Sequence, residues 1–409
     1  MRVVQTVHSF LPLGLPGIIG GDYLAYYTAG SLVRDGLTGD LYNLDVQHAI
    51  QDTIETASGV PASQHFVLAF DNPPPVALVF GVLASLPPTA SLALWTLLNV
   101  AATIGTVLLF VRPGALPVRR LAFFVLGSLL FVPSLLGLIY GQMMGIIVLL
   151  YGLTVWWLIN GRDASGGATL ATLGCIKPQY AMVLTLVLLM KRRMRALVAG
   201  TVVTLCLVLL SLVLVGTQGL QQYVDDLALL DPYRGSSDYL IHPEVMTNWR
   251  AVLLNVAPFL SDSLGFLLTQ VLAVVTIVIA LLLWRGPWAP TRWRFVGQIL
   301  GTTAATLLSA YHGHIHGVAL LLVPYLVWMT HQNGHSKIAP TGAVTDRMGG
   351  RMRQFWLLAC VTFWPPLLAF ALLGPYLLPL RGIIALWLVD CLILAMLWSW
   401  RHSARCITP

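Results

Sequence analysis

Residues 191–195 read Lys191-Arg192-Arg193-Met194-Arg195, and residues 196–215 then run ALVAGTVVTLCLVLLSLVLV. The second stretch holds no charge and is long enough, as a helix, to cross a hydrocarbon core of roughly 30 Å. The first is a cationic cluster of the kind kept on the cytoplasmic side of a membrane. Working outward from this pair, apolar runs of similar length occur at 89–111, 119–137, 142–160, 262–284, 295–311, 314–330, 354–373 and 382–400. Composition agrees. The 409 residues are 57% hydrophobic and 10% charged, with a mean hydropathy of +0.80, whereas soluble domains carry about 25% charged residues. The expectation is an all-α polytopic membrane protein forming a single integral membrane domain over 1–409. It should have roughly 9–11 transmembrane helices, outward-facing loops and short juxtamembrane helices.

The cations orient it. One set of loops holds Arg112, Arg119, Arg120, Arg162, Lys191, Arg192, Arg193, Arg195, Arg285, Arg292, Arg294, Lys337, Arg347, Arg351, Arg353, Arg401 and Arg405. The opposite set holds only Arg34, Arg234, Arg250 and Arg381. The richer set belongs in the cytoplasm. Residues 20–74 and 216–261 then become the two large extracytoplasmic loops, with shorter outward turns at 312–316 and 374–381. Residues 331–353, with His331 and His335, read as a flexible cytoplasmic connector. Something should cross before residue 20. Residues 9–20 are too few and contain two prolines, so the chain is expected to begin late and to lack most of a first transmembrane helix. The net charge of +7 reflects loop placement and does not point to nucleic acid. Four of the five cysteines lie in apolar runs and Cys406 in the tail, so no disulfide framework is expected.

Residues 168–190 differ from the other apolar stretches. Two short arms, 168–176 and 179–190, are broken by Lys177-Pro178, and cytoplasmic charge precedes and follows them. They should form a hairpin that dips into the membrane and returns. A lysine at its tip costs about 2.5–3.5 kcal/mol on insertion scales, so Lys177 needs an anion. A lipid phosphate, a distant Asp or snorkelling to a headgroup would each serve.

The outward loops hold the polar chemistry. Residues 20–74 carry Asp22, Asp35, Asp40, Asp45, Asp52, Glu55 and Asp71 against Arg34 alone. Asp22 stands out because Gly20-Gly21 precedes it and Tyr23, Tyr26 and Tyr27 follow at helical spacing. It reads either as a helix cap beside an aromatic interface belt or as a carboxylate base at the water–lipid boundary. Apolar Leu44, Val46, Ile50 and Ile54 give 43–57 helical spacing, so this segment is expected along the surface. Residues 74–86 are short and bounded by prolines, which suits an interfacial helix or an entry to the next span. Gly141-Gln142 forms an outward turn, where Gln142 is a ligand donor or a plain turn residue. Thr247-Asn248-Trp249-Arg250 places a guanidinium outside, able to clamp phosphate or to anchor at the interface. In Tyr311-His312-Gly313-His314-Ile315-His316 the histidines alternate. The stretch lies in a tight turn with no fourth ligand in view, so phosphate or sugar hydroxyls suit it better than a metal. No D-x-D, Walker or G-x-G-x-x-G pattern occurs, which argues against nucleotide-sugar or ATP sites.

In order along the chain come an outward Asp with Tyr26-Tyr27 and Ala29-Gly30, then Leu41-Tyr42, Asn72-Pro73-Pro74, Gly141-Gln142, Lys177-Pro178-Gln179 before Lys191-Arg192-Arg193, and a His-bearing turn at 311–316. This ordered set, spanning about 20 to 330, resembles glycosyltransferase family 87, the polyprenyl-phosphate-mannose-type transferases of the GT-C superfamily. Gly317 departs from the family pattern, which has a polar residue there. The resemblance implies inverting transfer of a sugar from a polyprenyl-phosphate donor to a glycolipid or glycan acceptor on the extracytoplasmic side. Mannose is the first candidate sugar, with arabinose or another pentose open. It implies Asp22 as general base and Lys177, Arg250, His312 and His314 against the donor phosphate. Tyr26, Tyr27, Asn72, Gln142, Gln179 and Asn248 would contact substrate, with no metal and no cofactor. The partners are then the lipid-linked donor, the acceptor and the bilayer. The expected location is a bacterial plasma membrane, to which the preponderance of Arg over Lys adds a compositional hint of a GC-rich source. The competing class is a transporter or lipid flippase, whose Pro-broken helices look alike. Against it, no inverted repeat is evident and the polar residues gather on one side. A membrane scaffold would leave Lys177 without a partner.

Overall fold

The computed structural model describes residues 20–57, 65, 67–111, 118–236 and 241–332, together with 388, 389, 391–393 and 395–397. The crossing expected before residue 20, the spans at 354–373 and most of 382–400, the turn at 374–381 and residues 333–353 of the connector lie outside them. Among the described residues the protein is helical, with no strand beyond an isolated bridge between Ser236 and Ile241. It is an all-α polytopic membrane protein.

Among the described residues three helices are long and apolar enough to cross a bilayer: α4 (Pro88–Phe110), α10 (Met194–Leu230) and α12 (Asp262–Leu283). On α10, Val198, Val202, Leu205, Leu209 and Val213 are all exposed, as expected of side chains in contact with lipid. The expected span at 119–137 is bent instead. Helices α5 (Val118–Leu129) and α6 (Val132–Tyr140) meet at 56°, and Pro133 in the first turn of α6 accounts for the break. Residues 142–160 form the shorter apolar helix α7 (Met144–Ile159). Residues 295–311 form α13 (Trp293–Ser309), in which every residue from Phe295 to Leu308 is buried, so this helix is the centre of the bundle. The stretch 314–330 begins as a 3-10 turn, Ile315–Leu321, and continues as α14 (Leu322–Gln332). His331 belongs to that helix and not to a flexible connector. It is buried, with its ring nitrogens 2.9 Å from the Val327 carbonyl and 2.8 Å from that of Pro290.

The Lys177 region forms two helices, α8 (Asp163–Ile176) and α9 (Pro178–Met190), with Lys177 between them in extended conformation (φ −142°, ψ 90°). At ~1.5 Å per residue each is about 20 Å long, too short to cross alone. α8 lies against α7 and α10, and α9 against α13.

α1 (Gly21–Arg34) packs along α3 (Pro74–Leu83). Between them in sequence comes α2 (Leu44–Ala57), whose buried residues are Gln47, Gln51 and Glu55. The two glutamines work as backbone surrogates. Gln51 donates to the Leu68 carbonyl (2.7 Å) and accepts from the Leu68 N–H (2.9 Å), while Gln47 accepts from the Phe70 N–H (2.9 Å) and donates to the Leu41 carbonyl (2.8 Å). Apolar Val46, Ile50 and Ile54 are only partly buried beside this seam. The amides satisfy an extended segment that no strand accompanies, and so fix the approach of the chain to Asp71-Asn72. α10 continues past Gly216, where the backbone leaves helical geometry (φ 68°, ψ −175°), and ends at Asp231-Pro232. The region expected as the loop 216–261 thus starts as helix. After it come the short turn Pro243–Val245 and α11 (Trp249–Val256).

Candidate active site

Asp22 stands in the first turn of α1 but does not cap it. Gly20 holds the cap position, and no side chain bonds there. The Asp22 carboxylate reaches across the fold instead. Its Oδ2 accepts a 2.5 Å hydrogen bond from Gln142 Nε2, and Gln142 Oε1 in turn accepts from the Tyr26 hydroxyl at 2.9 Å. Tyr26 is locked by stacking on Phe80, with ring centroids 4.8 Å apart. The turn bearing Gln142 is equally fixed. Gly141 has φ 74°, and a β-carbon there would sit 2.7 Å from Tyr23 Cβ, so only glycine fits. The Gly141 carbonyl accepts from Trp95 Nε1 at 2.9 Å, and the Gly20 N–H donates to the Ile139 carbonyl at 2.7 Å. The start of α1 and the end of α6 are thereby pinned together.

Burial pushes the Asp22 carboxyl up to about 6; the Gln142 hydrogen bond and the charge of Lys177 pull it down, Asp71 pushes it up and His312 pulls it down. Four groups from four separate parts of the chain therefore act on one carboxylate. Lys177 Nζ lies 3.9 Å from Asp71 Oδ1, with 16% of the lysine side chain exposed. Of the partners open to Lys177, the protein supplies an Asp, brought from the segment just before α3. Asn72 Nδ2 donates to Asp71 Oδ1 at 2.9 Å, and the Tyr42 hydroxyl donates to the Asn72 carbonyl at 2.8 Å.

The histidine turn closes the other side. Gln179 Nε2 donates to the His312 carbonyl at 3.1 Å. His312 Nδ1 lies 2.8 Å from Asp231 Oδ2, and His312 Nε2 lies 3.2 Å from His314 Nε2. Burial, followed by the charges of His312, His316, Lys177 and Arg250, pushes the His314 imidazole well below its ordinary range. His314 and His316 lie ring to ring at 5.6 Å. Among the described residues no group of three or more His, Cys, Asp or Glu side chains has the geometry to hold a metal.

The structure thus gathers Asp22, Tyr26, Gln142, Lys177 and His312 around one place, with Asn72, Gln179 and His314 bordering it. Three expected contact residues are engaged elsewhere. The Tyr27 hydroxyl donates to the Leu86 carbonyl at 2.9 Å. Asn248 caps α11 by accepting from the Ala251 N–H, and donates to the carbonyls of Ala310 and Tyr311, both at 2.8 Å. Arg250 is 0% exposed. Its Nε donates to the Tyr233 carbonyl (2.8 Å), its Nη1 to Asp231 Oδ1 (2.6 Å) and its Nη2 to the Pro232 carbonyl, and it lies 4.3 Å over the Tyr311 ring. The guanidinium braces the wall behind the histidines and has no face free for a phosphate.

Asp71 and Asp231 were not singled out from sequence. Asp71 was hidden in a Pro-rich helix entry. Asp231 gave a fainter signal, as an acid just before a proline in the same stretch, 216–261, as Arg250, whose charge needed a partner once buried.

A comparison with protein-family models matches residues 70–310 to glycosyltransferase family 87. No curated protein matches the chain. The matched stretch contains Asn72, Gln142, Lys177, Gln179, Asn248 and Arg250, and leaves Asp22 and the histidine turn outside it. It covers more than half of the chain and agrees with the order of motifs along the sequence; the chain belongs to glycosyltransferase family 87 and is a membrane glycosyltransferase.

Proposed function

We propose that this glycosyltransferase moves a sugar, mannose being the first candidate, from a polyprenyl-phosphate donor to a hydroxyl of a glycolipid or glycan acceptor. The reaction runs on the extracytoplasmic side of the membrane and inverts the anomeric carbon. The observation that carries this reading is the half-buried Asp22 carboxylate, held by Gln142 and sharing its surroundings with Lys177 and His312.

Asp22 takes the proton of the acceptor hydroxyl as that oxygen bonds to the anomeric carbon. The bond from this carbon to the phosphate oxygen breaks, and its electron pair leaves with the polyprenyl phosphate. One base suffices, because a phosphate leaves as an anion and needs no acid to protonate it. A carboxylic acid poised near 6 is ionised at neutral pH and still basic enough to accept the proton. Lys177 meets the charge that develops on the leaving phosphate, with the His312–His314 pair beside it as a further donor. Asp71 is the resting partner of Lys177 and is exchanged for the phosphate when donor enters. Gln142 and Tyr26 aim the base, Asn72 and Gln179 border the sugar, and Arg250, Asn248 and Tyr27 hold the walls.

Lys177→Met in purified, lipid-reconstituted protein tests the phosphate side. A charged hydrogen bond to phosphate contributes about 1.5–3 kcal/mol, so the donor KM should rise by about 10- to 100-fold with the acceptor KM little changed. An unaltered donor KM would remove Lys177 from the donor site.

A further inference from the structure

Arg250, Asp231, His312 and His314 form a continuous chain that the proposed reaction uses only at its far end. Arg250 is wholly buried and directs two of its nitrogens at backbone carbonyls of 232 and 233, so the segment after α10 is folded around it. Its Nη1 holds Asp231 Oδ1 at 2.6 Å, which leaves Oδ2 to face His312 Nδ1 at 2.8 Å. Asp231 has only 14% of its side chain exposed. Burial works to raise its carboxyl, but the His312 bond and charge together with Arg250 outweigh it and hold the group below the ordinary carboxylate range. It is therefore an ionised acceptor, and His312 Nδ1 carries the hydrogen. That leaves His312 Nε2 facing His314 Nε2 at 3.2 Å with one proton between them. Without the carboxylate, either nitrogen of His312 could carry the hydrogen and the ring could turn.

We infer that Asp231 is a positioning residue for the transfer reaction. Clamped by Arg250, it fixes the tautomer and orientation of His312. When His312 carries a second proton, its Nδ1–H donates to Asp231 and its Nε2–H to His314 Nε2, which leaves the hydrogen of His314 on Nδ1 as the donor to the leaving phosphate. Any positive charge that His312 takes up during the reaction is stabilised by the same carboxylate. This inference rests on the reaction proposed above, and its test separates the two.

Initial rates of sugar transfer at saturating donor would be measured for wild type, Asp231→Asn, His312→Gln and the double variant, with Asp22→Asn alongside. Orienting partners of metal-bound histidines contribute about 10- to 100-fold, and the same order is expected for a hydrogen-bonded one. Asp231→Asn should lower kcat by a similar factor and leave the acceptor KM within about twofold. If Asp231 acts through His312, the double variant is no slower than His312→Gln alone. A double variant whose loss is the product of the two single losses would overturn the inference, as would an Asp231→Asn enzyme as fast as wild type. Should Asp231→Asn fail to fold because Arg250 loses its counter-charge, Asp231→Glu keeps the charge while displacing the carboxylate, and the same comparison with His312→Gln decides. Transfer that survives in Asp22→Asn refutes the base and leaves the coupling of Asp231 to His312 to be read independently.

Discussion

Asp22 carries an energetic signature that a surface cap would not have. Its carboxyl lies at about 6 against 3.8 for the free group, so the folded state disfavours the anion. The sign follows directly. Below pH 3.8 both folded and unfolded chains hold the proton and the penalty is absent; it grows as pH rises and is complete above about 6, where it is at most about 3 kcal/mol and less where water screens the group. Asp22→Asn should therefore abolish transfer while keeping or raising the melting temperature at pH 7, a stability gain bought with function; a clear fall in melting temperature would count against a strained base. The same shift sets the pH dependence. The log of kcat/KM should fall on the acid side of about 6 as Asp22 takes up its proton. Gln142 lowers the Asp22 carboxyl through its hydrogen bond, so Gln142→Leu should move that acid limb to higher pH as well as slow the reaction by about tenfold or more. An acid limb that stays in place would mean that Gln142 does not tune the base. Arg250 makes the opposite prediction. Removing one member of a buried pair costs about 3–5 kcal/mol, so Arg250→Met should lower stability in a detergent melting experiment. A variant as stable as wild type would show that the guanidinium is not the brace described above.

At the scale of elements, the site is assembled by close helix packing. α8 must bring Lys177 up to Asp71, and it is seated against α10 with Gly167 directly on the Ala196 carbonyl, where a β-carbon has no room. Gly167→Val should push the two helices apart, at about 1–3 kcal/mol, and reduce transfer by displacing Lys177. Full activity with unchanged melting would show that the position of α8 is not critical. The division into two short helices was legible in the sequence because Lys177-Pro178 breaks an apolar stretch, and its cost to the membrane marked the lysine. The glutamine seam of α2 was not legible. Sequence reading expects 43–57 along the surface, on the spacing of apolar Leu44, Val46, Ile50 and Ile54, whereas Gln47 and Gln51 are the buried residues because their amides pair with the backbone of the extended chain at 68–70. The burial of Arg250 was hidden for the same reason: it depends on partners elsewhere in the chain, and periodicity carries no record of them. The bend between α5 and α6 has a local cause in Pro133, which a reading by apolar length alone passes over.

For the molecule as a whole, composition and charge placement were enough to give the class, because a chain with 10% charged residues must satisfy its backbone within helices in lipid. The ordered motifs were enough to give the family. The sidedness is a proposal with a direct check in intact cells whose native cysteines are first replaced. A membrane-impermeant maleimide should label Asp35→Cys from outside and Arg192→Cys only after permeabilisation; the reverse pattern would invert the orientation. Label transfer decides whether Asp22 is the base of a polyprenyl-phosphate-dependent transferase. Purified protein in lipid would be given radiolabelled polyprenyl-phosphate mannose and candidate glycolipid acceptors. Wild type and Asp35→Asn should transfer label at comparable rates, and Asp22→Asn should fall by about 100-fold or more. Transfer by Asp22→Asn at the wild-type rate would contradict the account.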